Sequence, residues 1–293
     1  MVTDRKIIVS NGRKTLELTA KPYFVKETKG FDKLKVQIVS SQGYGQDGAT
    51  YINSYVTPRD MEISGQIMAK TTIQMQNMRD ELLNLFIPKK EVTINHYYGG
   101  RNRLIKARTK TTPEFKFDEV STVQKYSVKL EATEPYWSDV QETLVSIANY
   151  TGGFRFPLCI RKGVGISFGV KSATLIQDVY NASSINVGIR FVFIANGTVT
   201  NPQLFNVNTR EFLKVNCEMV AGETITVQTG ETKSIIRNLN GVVSDYMGKI
   251  DLAGGGYTFL ELSPGDNLFR FSADSGEDML EVKIYYQNKY PGV

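Results

Sequence analysis

The sequence predicts a mainly β protein built as two domains with a single helix. Three observations lead there. Apolar and polar residues alternate with a period of two in both halves. One stretch, Thr72–Phe86, repeats apolar residues at helical spacing. From Phe154 onward, Gly, Asn, Asp and Pro punctuate strand-like runs at about the 8–12-residue spacing of an all-β sandwich or barrel. At 293 residues, with 41% hydrophobic and 22% charged residues, the chain can fill two ordinary cores.

The elements follow in order. KIIV (residues 6–9) and TLELT (15–19) read as strands around an Asn11-Gly12 turn. Tyr23–Val25 and Leu34–Val39 read as further strands. The Gly-rich segment SQGYGQDGA has no following helix and no Lys, so it is an extended loop and not a phosphate cradle. Asp47-Gly48 marks a tight turn within it. Pro58-Arg59 sits where a strand starts. Met61, Ile63 and, beyond Gly65, Ile67 then face one way, with Glu62, Ser64 and Gln66 facing the other.

Thr71 and Gln74 have the spacing of a capping box, in which the Thr hydroxyl accepts the Gln74 N–H and Gln74 reaches back to the cap. Met75, Met78, Leu82, Leu85 and Phe86 form the apolar face of a helix roughly 22 Å long, and Pro88 ends it. A hairpin follows: EVTINHYY, the Gly99-Gly100 turn, then RNRLIKARTK. Lys106, Arg108 and Lys110 share a face of the return strand, with Arg101 and Arg103 near the turn. Such a face discourages stray strand pairing. The phosphate-tracking alternative would want more interleaved aromatics than Tyr97 and Tyr98. Val123–Ala132 alternates again until Pro135, and Tyr136-Trp137 plugs the domain edge. The turn-rich Asn149–Gly153 is the expected boundary, giving domains 1–150 and 151–293. In the second, Leu262–Asn267 (LSPGDN) places Pro264-Gly265 at the centre of a type II turn.

The chemistry that is missing narrows the function. No GxSxG, HExxH, CxxC or Walker motif occurs. With one His, His96, a Ser–His or Cys–His pair has no footing, and no second ligand stands at metal spacing. A carboxylate pair for glycoside hydrolysis is not singled out among 30 Asp and Glu. Cys159 and Cys217 match no metal spacing and read as small buried residues of a protein made in a reducing compartment. The opening MVTDRKIIVS lacks a signal-peptide core, and no run approaches the ~18 apolar residues of a membrane span. The expectation is synthesis and retention in a cytoplasm, away from membranes. The net charge of +5 lies wholly in residues 1–150, too small an excess to indicate nucleic-acid binding. No catalytic, cofactor-binding or metal-ligating residue is therefore assigned, no cofactor is expected, and the chain is not read as an enzyme.

Four features in order resemble the distal tail proteins of long-tailed, siphovirus-like bacteriophages and related tail-like particles. These are Asp47-Gly48-Ala49 with Arg59-Asp60-Met61-Glu62-Ile63, and the helix Met75–Phe86 leading to Gly99-Gly100 and the basic return strand Arg103–Arg108. The alternating strand running into a Pro-aromatic pair (Leu130–Trp137) follows, and then LSPGDN with the ending Val282–Val293. Pro291 stands where the family often has Leu. The resemblance spans nearly the whole chain. It implies an N-terminal split β-barrel belt domain, with one α-helix and a β-hairpin, and a C-terminal galectin-like β-sandwich. It further implies a homohexameric ring that joins the tail tube protein to a tail-tip or baseplate protein. A receptor-binding protein is a possible further partner, and DNA is passing cargo in the lumen. The place would be the virion's tail tip, after synthesis in the host bacterial cytoplasm.

A carbohydrate-binding module is the competing expectation. Galectin-type sites stack sugar on Trp, yet Trp137 and His96 both lie in the first half. A platform of Tyr180, Tyr246 or Tyr257 is what that alternative would need.

Overall fold

The computed structural model describes residues 5–117, 122–147, 150–152, 169–171, 176–230 and 232–293. The chain divides into two compact units. Unit 1 comprises Met1–Val140 and Lys289–Val293, and unit 2 comprises Gln141–Asn288. The expected split at 150/151 is thus shifted about ten residues earlier, and the last five residues leave the second domain. Strand pairing gives the reason: Thr143–Ile147 already pairs with Leu280–Tyr286 of unit 2, whereas Trp137 pairs with Tyr290. Asn149, Gly153 and Cys159 lie outside the described residues.

Unit 1 contains β1 (Lys6–Ser10), β2 (Thr15–Glu17), β3 (Tyr23–Lys29), β4 (Val36–Ser41), β5 (Thr50–Val56), β6 (Arg59–Met68), α1 (Thr72–Leu85), β7 (Glu91–Tyr98), β8 (Arg101–Thr109), β9 (Glu114–Phe117), β10 (Val123–Ala132) and β11 (Trp137–Asp139). Its main sheet runs β2-β1-β7-β8-β10-β6-β3, with β9 on β10 and β11 on β8, and its pairings are antiparallel. The alternation in β6 and β10 turns Met61, Ile63, Ile67, Tyr126, Val128 and Leu130 into one core. Gly65 sits in that row because a Cβ there would lie 2.3 Å from the Phe24 carbonyl oxygen of the neighbouring strand. The β7–β8 turn uses Gly99 and Gly100 at φ 56° and 78°, the double positive φ of a tight hairpin.

Helix α1 lays Met75, Leu82 and Leu85 on this core, each contributing about 1.5–3 kcal/mol by burial. Thr71 Oγ1 accepts the Gln74 N–H at 3.2 Å, as the sequence predicts. The Gln74 side chain, however, accepts from the Lys70 N–H at 2.8 Å and not from the cap itself. The chain enters the helix extended, with Thr71 at φ −137°, ψ 160°, so the preceding amide is the one presented. At the other end, Asn11 of the β1–β2 turn donates to the Asn84 and Leu85 carbonyls at 2.9 and 3.1 Å. These are carbonyls that a helix end leaves without intrahelical partners.

Unit 2 contains β12 (Thr143–Ile147), β13 (Tyr150–Gly152), β14 (Gly169–Lys171), β15 (Ile176–Asn181), β16 (Val187–Gly188), β17 (Arg190–Ala195), β18 (Val199–Thr200), β19 (Gln203–Asn206) and β20 (Phe212–Lys214). It continues with β21 (Glu218–Met219), β22 (Thr224–Gln228), β23 (Ser234–Leu239), β24 (Val242–Asp245), β25 (Glu261–Leu262), β26 (Gly265–Ser272) and β27 (Leu280–Tyr286). A six-stranded sheet, β12-β27-β17-β22-β23-β24, and a four-stranded sheet, β15-β26-β19-β20, share one core. Phe191, Phe193, Val282 and Ile284 come from the first; Leu204, Phe269 and Phe271 come from the second. This is a β-sandwich by its packing, and its described helical turns are two short 3-10 segments. Gly265 at φ 90° fits the expected type II turn. The buried Asn267 holds that turn, donating to the Ser263 and Gly265 carbonyls and accepting the Ser263 N–H.

The chain then returns to unit 1 as β28 (Lys289–Tyr290), antiparallel to β11. Beneath it lies Arg59, only 2% exposed. Its Nε donates to the Pro135 carbonyl at 2.6 Å, its Nη1 to Gly30 and Phe31, and its Nη2 to Pro291. Burial pulls its pKa below the usual value, and the nearby Asp32 opposes that shift. Trp137 is fully buried beside it and donates its Nε1–H to the Phe31 carbonyl at 2.9 Å, so of the expected aromatic pair Trp137 is the residue that enters the core, while Tyr136 is only partly buried.

Candidate assembly surface

Among the described residues, His96 and Cys217 are the side chains whose chemistry the sequence singles out. His96, expected to be an ordinary strand residue, lies buried in β7 against Phe31 and Trp137, and its Nε2 accepts from Arg5 Nε at 3.0 Å. Burial, then the Arg5 charge, lowers its pKa to about 4. Cys217 is half-buried, and burial pushes its thiol up to about 11. Among the described residues no group of three or more His, Cys, Asp or Glu could hold a metal ion. A cleft of about 460 Å³ in unit 1 is rimmed by Lys29, Asp60, Glu62 and Lys110. Those charges pair with one another: Lys29 with Glu62, and Lys110 with Asp60 and also with Glu131.

The three tyrosines of the sugar-binding alternative do not form one platform. Tyr246 receives the Arg237 guanidinium on its hydroxyl. Tyr180 lies in β15 at one edge of the four-stranded sheet, while Tyr257 bridges to Leu213 of β20 at the opposite edge. Four strand spacings separate them, ~19 Å at about 4.8 Å each.

The basic hairpin strand is where the sequence places it, with Ile105, Ala107 and Thr109 inward and Lys106 and Arg108 outward. Much of its charge is met within unit 1. Arg103 sits 3.9 Å over the Tyr290 ring and donates to the Gly292 carbonyl; Arg108 approaches Glu91 at 3.9 Å; Lys110 bridges two carboxylates. Among the described residues Arg101 and Lys106 have no ion pair. This is a solvated strand face laced by its own partners and not a phosphate track. Strand β8 lies between β7 on one side and β10 and β11 on the other, so its charges guard no sheet edge.

The unexpected surface is a hairpin arm. Strands β4 and β5 pair with each other and with no further strand among the described residues, with a bulge between Val39 and Ser40. Every residue of β4 and all but the last of β5 are exposed. The Thr57 N–H to Lys35 carbonyl bond at 2.9 Å closes its base. The sequence reading of Leu34–Val39 as a strand overlaps β4, but Ser41–Gly48 is read as a loop and no strand is assigned to Thr50–Val56, so the pairing into an arm is missed. The signal was present: YINSYV is rich in β-branched and aromatic residues, and Asp47 is the one charge in residues 36–56. Along the arm Ile38 is 62% exposed, Ile52 59% and Tyr55 56%. A two-stranded hairpin is marginal in water alone, and this one lacks the charged residues that usually blunt free edges.

The described chain thus joins a β-rich unit carrying a helix, a basic hairpin and an apolar arm to a β-sandwich. A family model described as phage tail protein RIFT-related domain matches residues 15–132, and one described as siphovirus-type tail component, C-terminal domain, matches residues 182–290. The chain belongs to the siphovirus distal tail protein family, as the sequence resemblance implies, and it is a structural component of the phage tail. Its fold is similar to the crystal structure of the SPP1 Dit protein (gp 19.1), described as a paradigm of the hub adsorption apparatus in Gram-positive infecting phages. The TM-score is 0.70 at 13% identity, over 97% of this chain and 99% of that one. The phage P2 baseplate in its activated conformation with Ca is similar at TM-score 0.59 and 10% identity, over 99% of each chain. No curated protein matches.

Proposed function

We propose that this chain is the ring hub of a tail: a homohexamer held by unit 1, joining the tail tube protein to a tail-tip or baseplate protein. In this reading unit 1 is the belt domain and unit 2 a galectin-like sandwich on the outside, where a receptor-binding protein can dock. DNA passes through the lumen as cargo. The protein is made in the host bacterial cytoplasm and works in the virion. It performs no catalysis and needs no cofactor, metal or membrane.

The observation that carries the reading is the β4–β5 arm. A closed ring of identical subunits needs a heterologous contact, one face meeting a different face of the next copy. An arm whose two strands carry no charge and have apolar residues on both faces supplies one half of such a contact, because burying Val36, Ile38, Tyr51 and Tyr55 gains what the isolated hairpin forfeits to water. The SPP1 protein's description as a hub supports the same direction.

Electron microscopy of the full chain, concentrated or mixed with the tube protein, tests this. Six-fold rings are expected, and they should disappear in the double variant Ile38→Lys, Tyr55→Lys. A stable two-fold dimer through unit 2, with no ring on particles or in solution, would end the hypothesis.

A further inference from the structure

Residues 289–293 are held in unit 1 much as a bound peptide would be. Lys289 Nζ meets Glu134 at 2.8 Å. Tyr290 pairs with Trp137 across the strand edge, and its ring lies 3.9 Å under the Arg103 guanidinium. The Pro291 carbonyl accepts from Arg59 and the Gly292 carbonyl from Arg103. The Val293 N–H donates to Asp32 Oδ1 at 3.3 Å. Gly292 passes close to the Asp32 backbone, where a Cβ would lie 3.3 Å from its Cα. Backbone pairing plus side-chain pockets is how strand-addition sites read extended peptides.

The segment is nonetheless peripheral. None of its five residues is buried, and β28 makes only two residue pairs with β11. Of the four carbonyls on Arg59, three come from Gly30, Phe31 and Pro135, and one from the segment. Tyr290 and Val293 pack against the core of unit 1 from partly exposed positions, but none of the core's buried residues comes from the segment. Leaving the slot therefore costs one acceptor on Arg59, the cap over Arg103, the Lys289–Glu134 ion pair, the cover on the β11 edge beside Trp137 and the packing of Tyr290 and Val293, while the buried core residues all lie outside the segment.

We propose that Arg59, Arg103, Asp32 and the β11 edge form a peptide-binding slot for an extended Tyr-Pro-Gly segment, filled in cis by residues 289–293. The segment is a latch that leaves and re-enters without unfolding either unit. Unlatched, unit 1 presents a free strand edge at Trp137–Asp139, the kind of edge a further extended strand can pair.

The test uses the full chain with a protease site inserted between Asn288 and Lys289, cleaved after folding. Trp137 is the single tryptophan and reports on the slot. Gel filtration after cleavage should release the peptide, red-shift the emission and leave the far-ultraviolet spectrum unchanged. Added KYPGV should restore the emission saturably, and the same peptide with Tyr290→Ala should not. If the cleaved segment stays bound, its exchange for excess labelled KYPGV supports the slot equally. The proposal is overturned by emission indifferent to cleavage and release. It is overturned equally by collapse that KYPGV cannot reverse, or by equal rescue from both peptides.

Discussion

Arg59 shows how one side chain can join segments far apart in sequence. Its guanidinium ties Gly30, Phe31, Pro135 and Pro291, which a Lys cannot reproduce because three donors on a point charge do not span that fork. Arg59→Met should cost roughly 3–5 kcal/mol, since it strands buried carbonyls without partners. Denaturant unfolding followed by Trp137 emission measures it, and a loss under about 1 kcal/mol would remove Arg59 from this role. His96 makes a pH prediction. Its folded pKa of about 4 lies below the ordinary 6.5, so the unfolded chain binds more protons in between. Stability is then full above about pH 6.5 and falls as pH drops toward 4, by at most ~3 kcal/mol. The His96→Gln variant should lose that slope; an unchanged slope would assign the acid sensitivity to carboxylates elsewhere.

At the scale of elements, the arm and the helix behave oppositely. Charging the arm through Ile38→Lys should leave monomer stability within ~0.5 kcal/mol, because the residue touches solvent, while assembly is lost. Calorimetry on the monomer beside ring counts separates the two effects; a large drop in melting temperature would mean the arm packs within its own subunit. The same contrast explains what was legible in the sequence. Helix α1, the β7–β8 hairpin, β10 and β23 could be read because each is a local pattern: a cap, a Gly-Gly turn, a period of two. Of the arm, only β4 was read, through Leu34–Val39; β5 was not, since a strand exposed on both faces has no alternation to betray it. The LSPGDN turn was visible, but not the buried Asn267 that holds it. Nor could spacing reveal Arg59's partners, which lie up to 232 residues away. Assigning no metal or catalytic residue followed from motifs alone, whereas the exposure of both strands of the arm is visible only in three dimensions.

For the whole molecule, the division of the chain is that of an insertion: unit 2 leaves after Val140 and unit 1 resumes at Lys289. The exit and the re-entry are neighbours, because Ser138 pairs directly with Lys289 across an antiparallel ladder. Partners in such a ladder are about 5 Å apart, within reach of a hairpin-sized connection. A chain in which a short Gly-Ser loop joins Val140 to Lys289 should therefore fold, keep Trp137 shielded from quencher and retain the His96 pH slope. Quencher-accessible Trp137 in that chain would show that unit 1 depends on its insert. Unit 2 is then a cassette, plugged into one gap between two adjacent strand ends. Exchange of that cassette between lineages would leave each hydrogen bond on Arg59 in place, so unit 2 is free to diverge while unit 1 keeps its fold.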